Sequence, residues 1–205
     1  MASLLIRGYL LGFAIAASPG PIFFLCLRRT LLRGWRVGFL SGLGVATADG
    51  FYAAIAVFGI AAVTTFVAGA SRWLALVGGA ALIVIGLRSI IERPTVAEQQ
   101  PATARGLASA YASTLGLTIT NPATIISFAA LAAALGAGLS GGLVKPVTVV
   151  LGVFAGSATW WAVLATLAAA LRARVTPTVA RAIGFVSGLA IAALGALAIA
   201  SALGH

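Results

Sequence analysis

Charge is what this sequence has least of: 8% of its residues are charged, and only Asp49, Glu92 and Glu98 are acidic. A soluble domain carries roughly 25% charged residues, which excludes the ordinary globular class. The single cysteine, Cys26, excludes an intramolecular disulfide and any thiolate metal cluster, and reads as a small apolar packing residue. Serine–histidine chemistry needs a histidine beside a nucleophile, and the single histidine, His205, lies at the C-terminus, outside every apolar run. An aspartyl dyad needs two carboxylates in one site, and the apolar segments hold one. A serine–lysine pair would have to use Lys145, at the edge of an apolar run, and metal-assisted chemistry lacks its His, Cys and carboxylate clusters. An enzyme, a resident metal and any other cofactor are therefore not expected.

What the chain has instead is apolar length. Hydrophobic residues make up 61% of it and the mean hydropathy is +1.14. About 20 consecutive apolar residues cross a bilayer as a helix. Six such runs are present, near Leu4–Leu27, Gly38–Val63, Trp73–Ile91, Leu107–Leu135, Val144–Leu171 and Val179–Leu203. A transmembrane β-barrel would show short alternating segments in their place. The expected fold is all-α, a polytopic bundle of six transmembrane helices. The first run, with Arg7 ahead of Ala14, Ala16 and Ala17, has the outline of a signal peptide. It continues apolar through Pro21 to Leu27 and is read as a span.

The net charge of +10 does not point to nucleic acid, because the basic residues form no solvated face. They sit between spans. Arg28, Arg29, Arg33, Arg36, Arg88, Arg93, Arg105, Arg172, Arg174 and Arg181 flank the first, third and fifth connections, against Arg7, Arg72 and Lys145 on the other side. The positive-inside rule puts those odd connections in the cytoplasm and both termini outside. The partner so implied is the lipid bilayer.

An internal repeat divides the chain. Gly42 aligns with Gly152, Thr47-Ala48-Asp49 with Ser157-Ala158-Thr159, and Phe51 with Trp161. Arg72 aligns with Arg181, Gly79 with Gly188 and Gly86 with Gly195 at one constant offset, and Ser18-Pro19 meets Asn121-Pro122. The units expected are a first three-helix repeat over 1–91, a cytoplasmic linker over 92–106 and a second repeat over 107–205. Three spans per half insert the halves in opposite senses, the inverted repeat of secondary transporters, with a site near the midplane between them.

These residues resemble the LysE/RhtB family of amino-acid exporters. The resemblance is carried by Ser18-Pro-Gly-Pro21, the basic stretch Arg28–Arg36, the glycine-rich second span with Asp49, and Thr120-Asn-Pro-Ala-Thr124 in the fourth. It covers essentially the whole chain. It implies six spans in the bacterial inner membrane and export of amino acids or derivatives, with the proton gradient as driving force. The direction of transport rests on this resemblance alone.

The residues themselves suggest where such a site lies. Pro19 and Pro21 flank Gly20 inside the first span, and Asn121-Pro122 interrupts the fourth, so helices 1 and 4 are expected to be broken. Broken helices at matching places in two halves point to a transporter site. Both second half-helices would begin near the midplane, where their N-termini suit an anion such as a carboxylate. Asp49 is the one acid in any apolar span, and a charged carboxylate at that depth costs at least ~2.5 kcal/mol. It is expected to be protonated at rest or paired with a transient cation, either a proton or a substrate ammonium group. Thr47, Thr120, Asn121 and Ser157 could add hydrogen bonds, although span hydroxyls commonly satisfy their own helix. Phe51, Tyr52, Trp160 and Trp161 could form a cavity wall or gate, or simply pack. Gly78, Gly79, Gly86, Gly188 and Gly195 read as close-packing positions; a homodimer built on those faces is the alternative. The competing function is a small-cation or divalent-ion transporter or channel of related fold. Hard divalent cations want six or more oxygens with several carboxylates, and one Asp49 argues against it.

Overall fold

The computed structural model describes residues 1–58, 61–91, 103–121, 124–125, 127–128 and 142–203. Every element among them is helical: α1 (Ala2–Ala16), α2 (Pro21–Arg33), α3 (Trp35–Phe58), α4 (Ala61–Ile91), α5 (Ala104–Ile119), α6 (Val144–Leu171), a 3-10 turn (Arg172–Arg174) and α7 (Pro177–Leu203). Among the described residues, four helices are long and apolar enough to cross a membrane, in the segments Trp35–Phe58, Arg72–Ile91, Val144–Arg174 and Thr178–Leu203. α1 and α2 qualify as a fifth span only together, and they meet at 81°. The expected fourth span, Leu107–Leu135, is described through α5, Thr120 and Asn121 and as helix at 124–125 and 127–128. Pro122 and the rest of that span lie outside the described residues, as do most of the expected linker and His205.

The first break follows from its residues. Neither Pro19 nor Pro21 can donate a backbone N–H, so the ladder of α1 ends before them. Pro21 then opens α2 from its first position, where a missing N–H is harmless. Beyond it, α2 runs to Arg33 and a single residue, Gly34, separates it from α3. The stretch Arg28–Arg36 is thus mostly helix, where the sequence pattern suggested a loop. Gly34 makes the reversal at φ +91, a conformation glycine tolerates, and a Cβ there would stand 2.9 Å from Arg172 Nη1.

Small residues set the packing. α1 runs alongside α6 in the same direction, with Gly8 against Val149, Gly12 against Val153, and Gly156 against Tyr9 and Phe13. α3 crosses α6 in the opposite sense, since Gly42 meets Trp161 while Gly50 meets Phe154. α4 and α7 are also antiparallel: a Cβ on Gly79 would lie 2.7 Å from the Gly195 carbonyl, and Gly86 faces Gly188. These glycines therefore serve a seam within the chain, and Gly78 faces Thr120. The outward faces of α4 and α7 stay apolar and exposed, with Trp73 at 69% and Phe185 at 53%, as suits contact with lipid chains.

Arginine fastens the other end of the bundle. Arg29 Nη1 donates to Ser41 Oγ and to the Ala110 carbonyl, each at 3.1 Å, and Nη2 donates to Ser113 Oγ at 3.0 Å. One guanidinium so joins α2 to α3 and α5. Arg172 Nη2 donates to the Leu32 carbonyl at 3.3 Å, and Trp35 Nε1 donates to Thr166 Oγ1 at 3.1 Å. A planar fork reaches three acceptors that a lysine ammonium cannot reach together. Arg29→Lys is expected to destabilise the protein by about 2 kcal/mol, the scale of hydrogen bonds to charged groups. Thermal unfolding in detergent checks this, and an unchanged midpoint would show that the fork holds nothing.

Candidate functional site

The two helix breaks converge on one cavity of about 60 Å³. Ile15, Ala16, Ser18, Gly20, Ile22 and Phe23 line it from the first break. Asn121 and Thr124 line it from the second, and Val45, Asp49 and Trp161 close it from α3 and α6. About 10–15 Å³ of such volume holds one water, so the space admits several waters or a small polar group.

Asp49 is the cavity's acid and is 2% exposed. Its Oδ2 accepts a hydrogen bond from Ser157 Oγ at 2.7 Å, and Ser157 is itself fully buried. This bond joins α3 to α6 at the segments that align in the internal repeat. At the wall made by the first break, α2 begins with Gly20, which supplies no side-chain cap, and with Pro21, which has no N–H. The first N–H groups of a helix find no partner inside it. Those of Ile22 and Phe23 belong to residues that line the cavity, so the positive end of α2 and the carboxyl of Asp49 border the same space. The arrangement can hold a cationic group at one side and an anionic group at the other.

Trp161 makes the third wall. Gly42 gives its indole room, because a Cβ there would overlap the Trp161 side chain. Trp161 is 3% exposed, and its Nε1 is buried without a hydrogen-bond partner. The Trp160 Nε1 is in the same state, with its ring edge-on to Phe13 at 5.4 Å.

Of the residues singled out from sequence, Gly20, Asp49, Asn121 and Trp161 meet at the cavity, and Ser157 stands one hydrogen bond behind it. Pro19 and Pro21 make the break but are not among the lining residues. Thr47 donates to the Leu43 carbonyl at 2.9 Å and accepts from Tyr111 Oη at 3.0 Å, away from the cavity. Thr120 bonds back to the Gly116 carbonyl at 3.0 Å, and Phe51 is 55% exposed on the outside of α3. Pro122 lies outside the described residues. Sequence reasoning passed over the apolar walls at Val45, Ile22 and Phe23. Val45 could have been found, since it lies four residues before Asp49 on the same helix face.

Among the described residues, no group of three or more His, Cys, Asp or Glu side chains comes together to hold a metal ion.

Comparison with known proteins places this geometry. The LysE type translocator family model matches residues 13–202, nearly the whole chain. The chain is 31% identical over 121 residues to the uncharacterized membrane protein YahN of Escherichia coli, covering 54% of this chain and 51% of that protein. It is 28% identical over 142 residues to the chemotactic transduction protein ChpE of Pseudomonas aeruginosa, covering 66% of each. The chain thus spans about half the length of the first relative and just under two thirds of the second. No solved structure matches it.

Proposed function

The chain belongs to the LysE type translocator family, a family of membrane transporters, and on that premise we propose that it exports amino acids or their derivatives by proton antiport. The observation that carries this reading is the shared cavity, lined both by the buried Asp49 and by the uncapped start of α2. An α-amino acid carries an ammonium and a carboxylate on neighbouring atoms and matches both ends. The ammonium and a proton compete for the same carboxyl, so loading one releases the other. That competition is the simplest route to exchange of substrate for protons.

Alternating access supplies the path, with two inverted halves, 1–91 and 107–205, rocking about the site in the bacterial inner membrane with both termini outside. The contact pattern supports this. The offset that aligns Gly79 with Gly188 and Gly86 with Gly195 converts the Gly79–Gly195 contact into the Gly86–Gly188 contact, as a two-fold relation between halves requires. Asn121 adds polar atoms from the second half, and Ser157 steadies Asp49 across the boundary. Among the described residues Asp49 is the one carboxylate lining the cavity, which disfavours a divalent cation as cargo.

The test is flux in proteoliposomes across a panel of labelled amino acids, with and without a proton gradient. Gradient-driven movement of at least one amino acid supports the reading. Movement of a small cation but of no amino acid replaces it with an ion transporter. A further expectation concerns Gly20, whose extended backbone (φ −146) accepts any residue and whose added Cβ would meet nothing within 4 Å among the described residues. Gly20→Ala should leave folding unchanged yet place a methyl group in the cavity. One methylene in a pocket is worth tenfold or more in discrimination, so KM for the bulkier transported amino acids should rise about tenfold. An unchanged KM would show that substrate does not pass Gly20.

A further inference from the structure

We propose that Tyr52 is a positioning residue, the brace that holds the second helix break against α3 and sets where Asn121 stands in the cavity. The inference rests on the transport reading above for its functional consequence, and on geometry alone for the brace.

Tyr52 lies three residues beyond Asp49 in α3, on the same face of the helix. It is 5% exposed. Its hydroxyl donates to the carbonyl of Ile119, the last residue of α5. Its ring stacks on Phe128, with centroids 5.9 Å apart and planes at 21°. One side chain therefore grips the chain on both sides of Thr120 and Asn121.

The break explains why a hydroxyl is wanted there. In an unbroken helix the Thr118 carbonyl would receive the N–H of residue 122, but that residue is a proline. The carbonyl takes the Asn121 N–H instead, at 3.1 Å, in a tighter turn. Thr118 Oγ1 bonds to the Thr114 carbonyl at 2.7 Å and Thr120 Oγ1 to the Gly116 carbonyl at 3.0 Å, so these hydroxyls turn back into α5 and leave its last carbonyl to another donor. The Ile119 carbonyl is served from another helix, by Tyr52. Freed backbone groups at membrane depth persist only when such partners are supplied.

The two breaks are unequal in this respect. At the offset that aligns Asp49 with Thr159, Tyr52 aligns with Ala162, which has no hydroxyl and no ring. The Tyr52 hydroxyl ties the second break to α3, the helix that carries Asp49, and Ala162 can offer no such tie from α6 to the first break. When Asp49 exchanges a proton for a cation, any displacement of α3 reaches Asn121 through Tyr52.

Tyr52→Phe keeps the ring and removes the hydroxyl. Three quantities are read: KM and maximal rate for gradient-free counterflow of a transported amino acid, and amide hydrogen exchange over residues 117–121 in nanodiscs. KM is expected to rise about tenfold with the maximal rate within about twofold, since slight misplacement of a binding group is felt strongly. Exchange over 117–121 is expected to quicken about tenfold, with the rest of α5 unchanged. A fall in rate at constant KM with uniform exchange would make Tyr52 a plain packing residue and overturn the proposal. So would unchanged KM and exchange. Should Tyr52→Phe not accumulate as folded protein, Phe128→Leu loosens the same grip from the far side, and an unchanged KM there overturns it equally. If the wild type moves no amino acid, the transport reading fails, and the exchange measurement still decides the brace.

Discussion

Asp49→Asn should lower gradient-driven amino-acid flux about a hundredfold while leaving the protein folded. Asparagine has nearly the same shape and keeps a carbonyl oxygen where Asp49 Oδ2 accepts from Ser157 Oγ at 2.7 Å, so the α3–α6 contact survives. What it loses is the capacity to bind and release a proton and to carry the charge that faces an ammonium group. Hydrogen bonds to charged groups are worth about 1.5–3 kcal/mol, and the upper end corresponds to roughly a hundredfold in binding. Two measurements on the same proteoliposomes check this: flux under a proton gradient, and exchange of labelled for unlabelled substrate without one. Gradient-driven flux at the wild-type level would make Asp49 a structural acid and send the search for the coupling group elsewhere. Loss of both activities with loss of the folded protein would place Asp49 in the packing.

The largest effect on stability is expected at the α1–α6 seam. A Cβ on Gly12 would overlap the Val153 carbonyl, and one on Gly156 would overlap the Tyr9 carbonyl. Backbone is the obstacle in both cases, so no side-chain rotation can relieve the overlap. The helices would have to separate along a seam also held at Gly8 and Gly152. Overpacking costs about 1–3 kcal/mol, and a backbone clash falls at the upper end. Gly12→Ala should therefore lower the unfolding midpoint by about 6–12 °C, at roughly 2–4 °C per kcal/mol for a chain of this size. Gly20→Ala makes the same chemical change in open space and should not move the midpoint. A midpoint for Gly12→Ala within a degree of the wild type would show that the seam is looser than its contacts.

How much was legible depended on how local the cause was. The fifth span was expected at Val144–Leu171 and α6 has those bounds, because hydropathy and length alone decide where such a helix lies. The sixth starts two residues earlier than expected, since Pro177 is welcome in the first turn. The first break sits where Pro19, Gly20 and Pro21 put it, by backbone chemistry that needs no neighbours. Arg28, Arg29 and Arg33 were read as loop because charge ends an apolar run, but α2 continues through them. Arg29 finds its acceptors on two other helices, which no local pattern reveals. Asp49 could be picked out from its isolation among apolar residues. Its partner could not: Thr47 and Ser157 align in the repeat, yet Thr47 turns to Leu43 and Tyr111 while Ser157 turns to Asp49. Which hydroxyl faces the cavity depends on helix rotation, and rotation is settled by packing.

The seam between α4 and α7 has a mechanical meaning. Its two points of backbone contact, at Gly79–Gly195 and Gly86–Gly188, are seven residues apart, about 10 Å along each helix. Helices usually lock by setting ridges of side chains into grooves, which fixes both spacing and crossing angle. Here Gly79 and Gly188 each open a groove that an isoleucine of the other helix enters, Ile199 at Gly79 and Ile90 at Gly188, each 2.8 Å from where a Cβ would stand. Two such points along one line hold both the separation and the crossing angle, so α4 and α7 meet as a clasp and would move as one piece.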